Sequence, residues 1–319
     1  MVIILKPETE LKELDESPEI DEITERYLNA VNSFIEKAKK DVNIIAVVVM
    51  GSLTNDVVWE KSDIDATAVV RDQKIKVPEF CIDADGIVLN MSVQERGSFV
   101  RMLESGGFVN SFMSKAQVLY TTDDSITKMV EQNRILGERD AQRSAMLAAC
   151  DAVCFIEKCQ KWLYIKEDYT YCRYYIIKMA EALAALEIWK SKESPRREVL
   201  QRAQVLNPKL TDRFYYYPMS RELTKDELEG LLKEADDYLM SNIDYISEPI
   251  LDFLDDGELK TVTMINRQFR SGGHFLVHLL EYFASKGIIE KVSETIRLTP
   301  KSRPNFEEIA FMSTKNIKI

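Results

Sequence analysis

Two aspartates, Asp63 and Asp65, stand two positions apart in the run DIDATAVVRD and are the residues best placed to do chemistry. On a strand, that spacing puts both carboxylates on one face, about 7 Å apart. No basic residue falls between them, so they repel each other and lose solvation together. A hard divalent cation relieves both costs: Mg²⁺ takes oxygen ligands, keeps some of its waters and bridges to phosphate. Upstream, Gly51-Ser52 closes the apolar run Ile44 to Met50, and ten residues separate Ser52 from Asp63. Gly51 lets a phosphate approach the backbone closely, and Ser52 adds a hydroxyl and an N–H. The chemistry these residues suit is metal-assisted handling of a phosphate ester.

Such a set needs a rigid frame. The run IIAVVVM is β-branched and continuous, which predicts a strand buried on both faces. Before it, Asp21 to Lys40 carries Ile23, Tyr27, Leu28, Val31, Phe34, Ile35 and Ala38 at three- and four-residue steps. That is an amphipathic helix, preceded by an acidic, proline-bearing lead-in over 7–20 that should be mobile. After Asp65, Thr67 and Val69 alternate as on a strand. Gln73 to Phe80 reads as a polar connection, and Gly86 to Val93 as the next strand, with Val88, Asn90 and Ser92 on one face. Asp83 and Asp85 are expected in the turn before it. A helix over Glu95–Leu103, ended by Gly106-Gly107, and a strand over Ala116–Tyr120 complete the module near residue 135.

The pattern hydrophobic-Gly-Ser, a short gap, then Asp-h-Asp-h resembles the signature of the DNA polymerase β-like nucleotidyltransferases. Here it reads Met50-Gly51-Ser52, then Asp63-Ile64-Asp65-Ala66. The resemblance covers that motif and the expected strand order up to about residue 130. It implies an α+β fold with a mixed sheet, and a Mg²⁺-dependent (or Mn²⁺-dependent) transfer of a nucleoside monophosphate from an NTP, with ATP the expected one, to a hydroxyl. Asp63 and Asp65 would be catalytic metal ligands, and Gly51 and Ser52 would cradle the phosphates. The family usually places a third acid on the following strand, and Asn90 occupies that position. Asn can coordinate through its carbonyl oxygen but cannot act as a general base. In kanamycin-type enzymes, whose layout this chain resembles, a glutamate of the following helical domain can serve instead. Glu181, with Arg173 and Lys178 one or two turns away, is the expected residue here. A small aminoglycoside-like acceptor fits that layout, and a protein or tRNA acceptor stays open. Asn90 also raises an alternative: a catalytically degenerate NTP-binding regulator.

From Glu138 the pattern turns to long helices, over 141–164, 168–190, 196–206 and 225–246, which predicts an antiparallel bundle spanning 136–245. The third should stop at Asn207-Pro208. The aromatic run Phe214 to Tyr217 is expected to pack between domains. From 246 to 319, three shorter helices and a hairpin within EKVSETIRLTPKSRP resemble a winged-helix module, with Gly287 as a helix C-cap. From Lys260 onward there are ten Lys/Arg against five acids, a basic end on a chain of net charge −11. That suits a regulator binding DNA or protein. Yet the expected groove helix, HFLVHLLEYFAS, is almost wholly apolar, so packing within the chain or in a homodimer fits better. His274, His278 and Glu281 have helical metal spacing but no further ligand in view, and read as surface or capping residues.

With 319 residues, 45% of them apolar, the chain can form two or three domains, each with a core. The acidic balance excludes a nucleic-acid coat, and no apolar run nears the ~20 residues that span a bilayer. Five cysteines match neither a disulfide framework nor a zinc site, and Cys150 and Cys154 read as core residues. The start lacks a signal-peptide core, so the expected compartment is the cytoplasm.

Overall fold

The computed structural model describes residues 18–55, 58–104, 113, 115–133, 136–195, 198–269, 275–301 and 303–314. The chain divides into two compact units, 1–136 and 137–319. In the first unit, helix α1 (Pro18–Ala38) leads into β1 (Ile44–Met50), the short helix α2 (Ser52–Asn55) and β2 (Ile64–Val70). Then follow β3 (Glu79–Ala84), β4 (Ile87–Glu95), α3 (Arg96–Glu104), β5 (Gln117–Thr121) and α4 (Asp124–Gln132). The five strands form one mixed sheet in the order β3-β4-β2-β1-β5. Only β2 and β4 run parallel; the other neighbours are antiparallel.

The strand β1 is buried on both sides, as its composition predicts. Val47 and Val49 cluster with Tyr27, Val31 and Ile35 of α1. Val48 and Met50 cluster with Phe99 of α3 and Ile126 and Val130 of α4. Each fully buried side chain of this kind is worth about 1.5–3 kcal/mol, so the sheet has a core on each face. Helix α1 begins at Pro18, inside the expected lead-in, because a proline is well suited to a first helical turn. The remainder of that lead-in and the pair Gly106-Gly107 lie outside the described residues.

The connection expected over Gln73–Phe80 runs over 73–78, and Glu79 and Phe80 open the strand β3. Asp85 (φ 54°) and Gly86 (φ 81°) form a two-residue turn between Ala84 and Ile87, the Asp-Gly hairpin signal. Asp83 therefore lies in a strand, and its Oδ1 accepts the Gly86 N–H at 2.7 Å. As an edge strand, β3 is mostly exposed, which hides the hydrophobic alternation.

The second unit is mainly helical: α5 (Glu138–Gln160), α6 (Tyr169–Lys190), α7 (Val199–Leu206), α8 (Lys225–Ser241), α9 (Ile243–Phe253), α10 (Val262–Phe269) and α11 (Phe275–Ser285). Helix α5 runs on into a π-helical turn over Lys161–Ile165. The single helix expected over 225–246 is two, broken at Asn242, whose Nδ2 donates to Tyr238 O at 2.8 Å. The strands β6 (Lys260–Thr261), β7 (Ile289–Ile296) and β8 (Phe306–Ser313) form an antiparallel sheet in the order β6-β8-β7. The partner of β7 thus lies beyond the expected hairpin, because 297–304 with its two prolines is the connection. Among the described residues, no helix is long and apolar enough to cross a membrane.

The start of α3 is tied to α4 by charge. Arg96 donates Nε–H to Asp123 Oδ2 at 2.7 Å and an Nη2–H to Ser125 Oγ at 2.8 Å. Asp123 also caps α4 through the Ser125 N–H. The Arg96 hydrogen bond, aided by Ser125, holds the Asp123 carboxyl down at about 2. A carboxyl depressed on folding stabilises above its unfolded pKa, and the gain disappears as pH falls through the folded value. Asp123→Asn should cost roughly 1 kcal/mol at pH 7. Thermal melts should show the gap from wild type closing between about pH 4 and pH 2; a gap constant with pH would contradict this.

Candidate active site

The pairing of β2 with β4 sets the geometry. Asp65 lies directly beside Asn90, in register across the parallel pair. Asp63, one residue before β2, is exposed, and Asp65 is half-buried. The Asn90 amide joins them: Nδ2 donates to Asp63 Oδ2 at 2.6 Å and to Asp65 Oδ1 at 3.3 Å. Both carboxylates therefore converge on one point of the sheet surface. The amide meets part of the desolvation and repulsion that two adjacent acids incur.

Gly51 closes this point from β1. Its φ is +82°, a left-handed conformation that costs other residues about 1–2 kcal/mol. A Cβ on Gly51 would stand 2.6 Å from Asp65 Oδ2, so a side chain there would be strained and would push that carboxylate aside. Its carbonyl accepts the Thr54 N–H and hydroxyl, each at 3.1 Å, which fixes the turn from β1 into α2. Ser52 opens α2, and its side chain lies outside the described residues.

Tyr27 has a role at the site that is not legible in the sequence. Buried in α1, it reaches the turn before Asp63 and donates its hydroxyl to Ser62 O at 2.6 Å. The Trp59 and Glu60 carbonyls lie near the same hydroxyl, at 3.1 and 3.4 Å. Burial, against the lowering effect of Arg26 and with a further push from Asp63, raises the Tyr27 pKa, so the phenol keeps its proton. An amphipathic pattern marks Tyr27 as a core residue; only the fold shows what its hydroxyl touches.

Beside Asp65 and Asn90 opens a cavity of about 580 Å³. Its lining includes Glu79 and Cys81 of β3, Gln94 of β4, Met102 of α3 and Met113. Cys81 pairs with Asn90 across β3-β4, and its Sγ–H donates to Asn90 Oδ1 at 3.6 Å. None of these five residues stands out in the sequence: β3 is not legible there as a strand, and Gln94, Met102 and Met113 meet the site only through the fold.

The donor set suits an open Mg²⁺ site. Among the described residues, no three His, Cys, Asp or Glu gather into a closed metal cage. Two carboxylates with a neutral amide leave coordination positions for water and phosphate oxygens, as Mg²⁺ prefers. Glu181 belongs to the second unit, where its carboxylate lies 3.5 Å from Lys178. Arg173, also on α6, donates to Arg221 O at 2.8 Å.

The remaining expectations resolve within the second unit. Helix α11 buries Leu276, Leu279, Leu280 and Phe283. Its polar residues are engaged: His278 with Glu157 at 2.7 Å, Glu281 with Lys291 at 2.5 Å, and the Tyr282 hydroxyl with Asp236 at 2.8 Å. His274 lies outside the described residues. Cys150, Cys159 and Cys172 are buried and Cys154 half-buried, whereas Cys81 is exposed. In the run 214–217, Phe214 is buried, and Arg213 and Arg221 lie over the Tyr217 ring at 4.7 and 5.0 Å.

The fold is that of a nucleotidyltransferase-like protein. A crystal structure described as a nucleotidyltransferase-like protein from Exiguobacterium sibiricum 255-15 matches at a TM-score of 0.65 and 13% identity. The match covers 90% of this chain and 98% of that one, so the likeness of fold extends well beyond the five-stranded sheet. No protein-family model matches the sequence, and no curated protein matches it.

Tyr27→Phe removes one hydroxyl and nothing else. It should cost about 1 kcal/mol of stability and loosen the turn that presents Asp63, which would weaken a Mg²⁺-nucleotide held by that carboxylate. Melting and calorimetry on the same samples separate the two effects. Unchanged nucleotide affinity would show that the 59–62 turn holds itself.

Proposed function

We propose that this protein is a nucleotidyltransferase, moving a nucleoside monophosphate from an NTP to the hydroxyl of a small acceptor. The observation that carries this reading is the convergence of Asp63 and Asp65 on Asn90 beside Gly51. The shared fold supports it. Asp63 and Asp65, with the Asn90 amide turned to present its oxygen, would hold Mg²⁺, or Mn²⁺ in its place. When bound, the ion neutralises charge on the triphosphate and on the departing pyrophosphate. Gly51 leaves backbone open to the outer phosphates, and Tyr27 positions the turn carrying Asp63. In the reaction the acceptor oxygen bonds to the α-phosphorus as the bond to pyrophosphate breaks, and the acceptor's proton passes to a base. ATP is the proposed donor.

Calorimetry with ATP and GTP, with and without Mg²⁺, tests the site. Binding should require the metal and weaken at least about tenfold in Asp63→Asn/Asp65→Asn. Equal binding without metal, or in the double variant, would overturn the assignment.

Asn90 cannot accept a proton, so the base lies elsewhere, and Glu181 is the residue proposed for it. Replacing it as Glu181→Gln should lower turnover by about 10²-fold or more with nucleotide affinity unchanged. Turnover at the wild-type rate would leave Glu181 only its pairing with Lys178.

A further inference from the structure

We propose that the cavity beside Asp65 is the acceptor subsite, and that it takes a small hydroxylated organic amine with an apolar or aromatic body. The inference rests on the nucleotidyl-transfer reading of the same site and narrows its acceptor away from a polyhydroxylated sugar.

Position comes first. Across the sheet the order is Gly51 at the end of β1, Asp65 on β2, Asn90 on β4 and Cys81 on β3. The open backbone at Gly51 lies on one side of the carboxylates. The cavity spreads from Met50 at the end of β1 across Asp65, Ala66 and Thr67 of β2 to β4 and β3, and Gly51 itself is not among its described lining residues. A group in the cavity therefore lies directly against Asp65 and Asn90.

Charge comes second. Among the described lining residues the charged ones are Asp65 and Glu79, and none is Lys, Arg or His. Such a surface repels a triphosphate or a nucleic-acid backbone and attracts an ammonium. Glu79 is exposed and makes no ion pair among the described residues, so its carboxylate is available to a cationic ligand. Gln94 donates Nε2–H to Ser92 Oγ at 3.3 Å and to Met102 Sδ at 3.5 Å, which leaves its Oε1 as an acceptor. The polar groups on offer to a ligand thus mainly accept hydrogen bonds.

Surface character comes third. The volume of about 580 Å³ lies within the range of small-molecule sites. Met50, Met102 and Met113 make much of the wall, and the lining is predominantly apolar. A sugar would lay its hydroxyls against that surface without partners, at a cost in every unpaired group. An aromatic or aliphatic body gains burial there, and methionine adapts its shape to the ring.

Tyramine, which joins a phenolic hydroxyl to an ammonium, is the probe, and 4-hydroxyphenylacetate is its anionic control. With methyl-¹³C methionine in the full-length chain, tyramine should shift the Met102 and Met113 methyl signals, assigned through Met102→Leu and Met113→Leu. The control should leave them in place. Glu79→Gln should weaken tyramine about three- to tenfold while Mg²⁺-ATP affinity stays at the wild-type value. As an independent readout, tyramine should slow alkylation of Cys81, the exposed thiol of the cavity wall, followed by mass spectrometry. Unmoved methionine signals, or equal binding of the anion, would overturn the inference. So would Mg²⁺-ATP alone shifting the same two methyls, which would give the cavity to the nucleobase. Tyramine shifts in a protein that binds no Mg²⁺-ATP would instead sink the transfer reading and leave the amine site standing.

Discussion

The first unit is built around an unfavourable contact: two carboxylates held near one another on a half-buried sheet surface. Like charges in that setting repel and lose water, and the sheet must supply the rigidity that keeps them together. It does so through the β1-β2-β4 core of the sheet. β1 is anchored by apolar packing on both faces, β2 pairs with it antiparallel, and β4 pairs with β2 in parallel register. The register fixes Asn90 next to Asp65, so the amide that bridges the acids arrives with the backbone rather than by side-chain search. Gly51 completes the arrangement because a side chain in its place would push the Asp65 carboxylate out of position.

Asn90 changes what this surface can do. A third acid would add charge, tighten metal binding and offer a proton acceptor. The amide instead donates to both aspartates, which lets the pair persist with less repulsion. It can also turn its oxygen toward a cation, since the two ends of an amide differ little in size. The cost is chemical: no proton can be taken at this position. The Cys81 thiol stands beside the Asn90 oxygen, and Glu79 lies on the same cavity wall.

The second unit shows a different economy. Helix α6 buries residues around most of its circumference, including Ile176, Met179, Leu183 and Leu186, as a helix packed on several sides must. Its neighbours engage their polar groups inside the unit. Tyr238 donates to Glu187, Arg202 grips Glu193 with two hydrogen bonds, and Asp236 receives both Tyr282 and Lys286. Helix α11 keeps its apolar face in the core and its described polar residues in pairs. Presenting that helix to a nucleic-acid groove would require breaking those pairs.

By itself the sequence determined the strand at Ile44–Met50, the amphipathic helix before it, the strand-glycine-aspartate motif and the passage to long helices after residue 137. These are local: β-branched runs, three-to-four spacing and glycine punctuation act within a few residues, and no distant partner is needed to read them. The family resemblance also pointed to Asn90, on the strand face that it shares with Val88 and Ser92. Only the tertiary structure decided the rest. β3 is an edge strand whose exposure hides its pattern, so Glu79 and Cys81 reach the site through pairing with β4. Tyr27 meets the turn at Ser62 across thirty-five residues, and Met102 and Met113 meet the sheet across a cavity. The break at Asn242 and the pairing of β7 with β8 were likewise set by long-range packing. Contacts of that kind depend on which faces the fold brings together, and side-chain chemistry along the chain does not encode them.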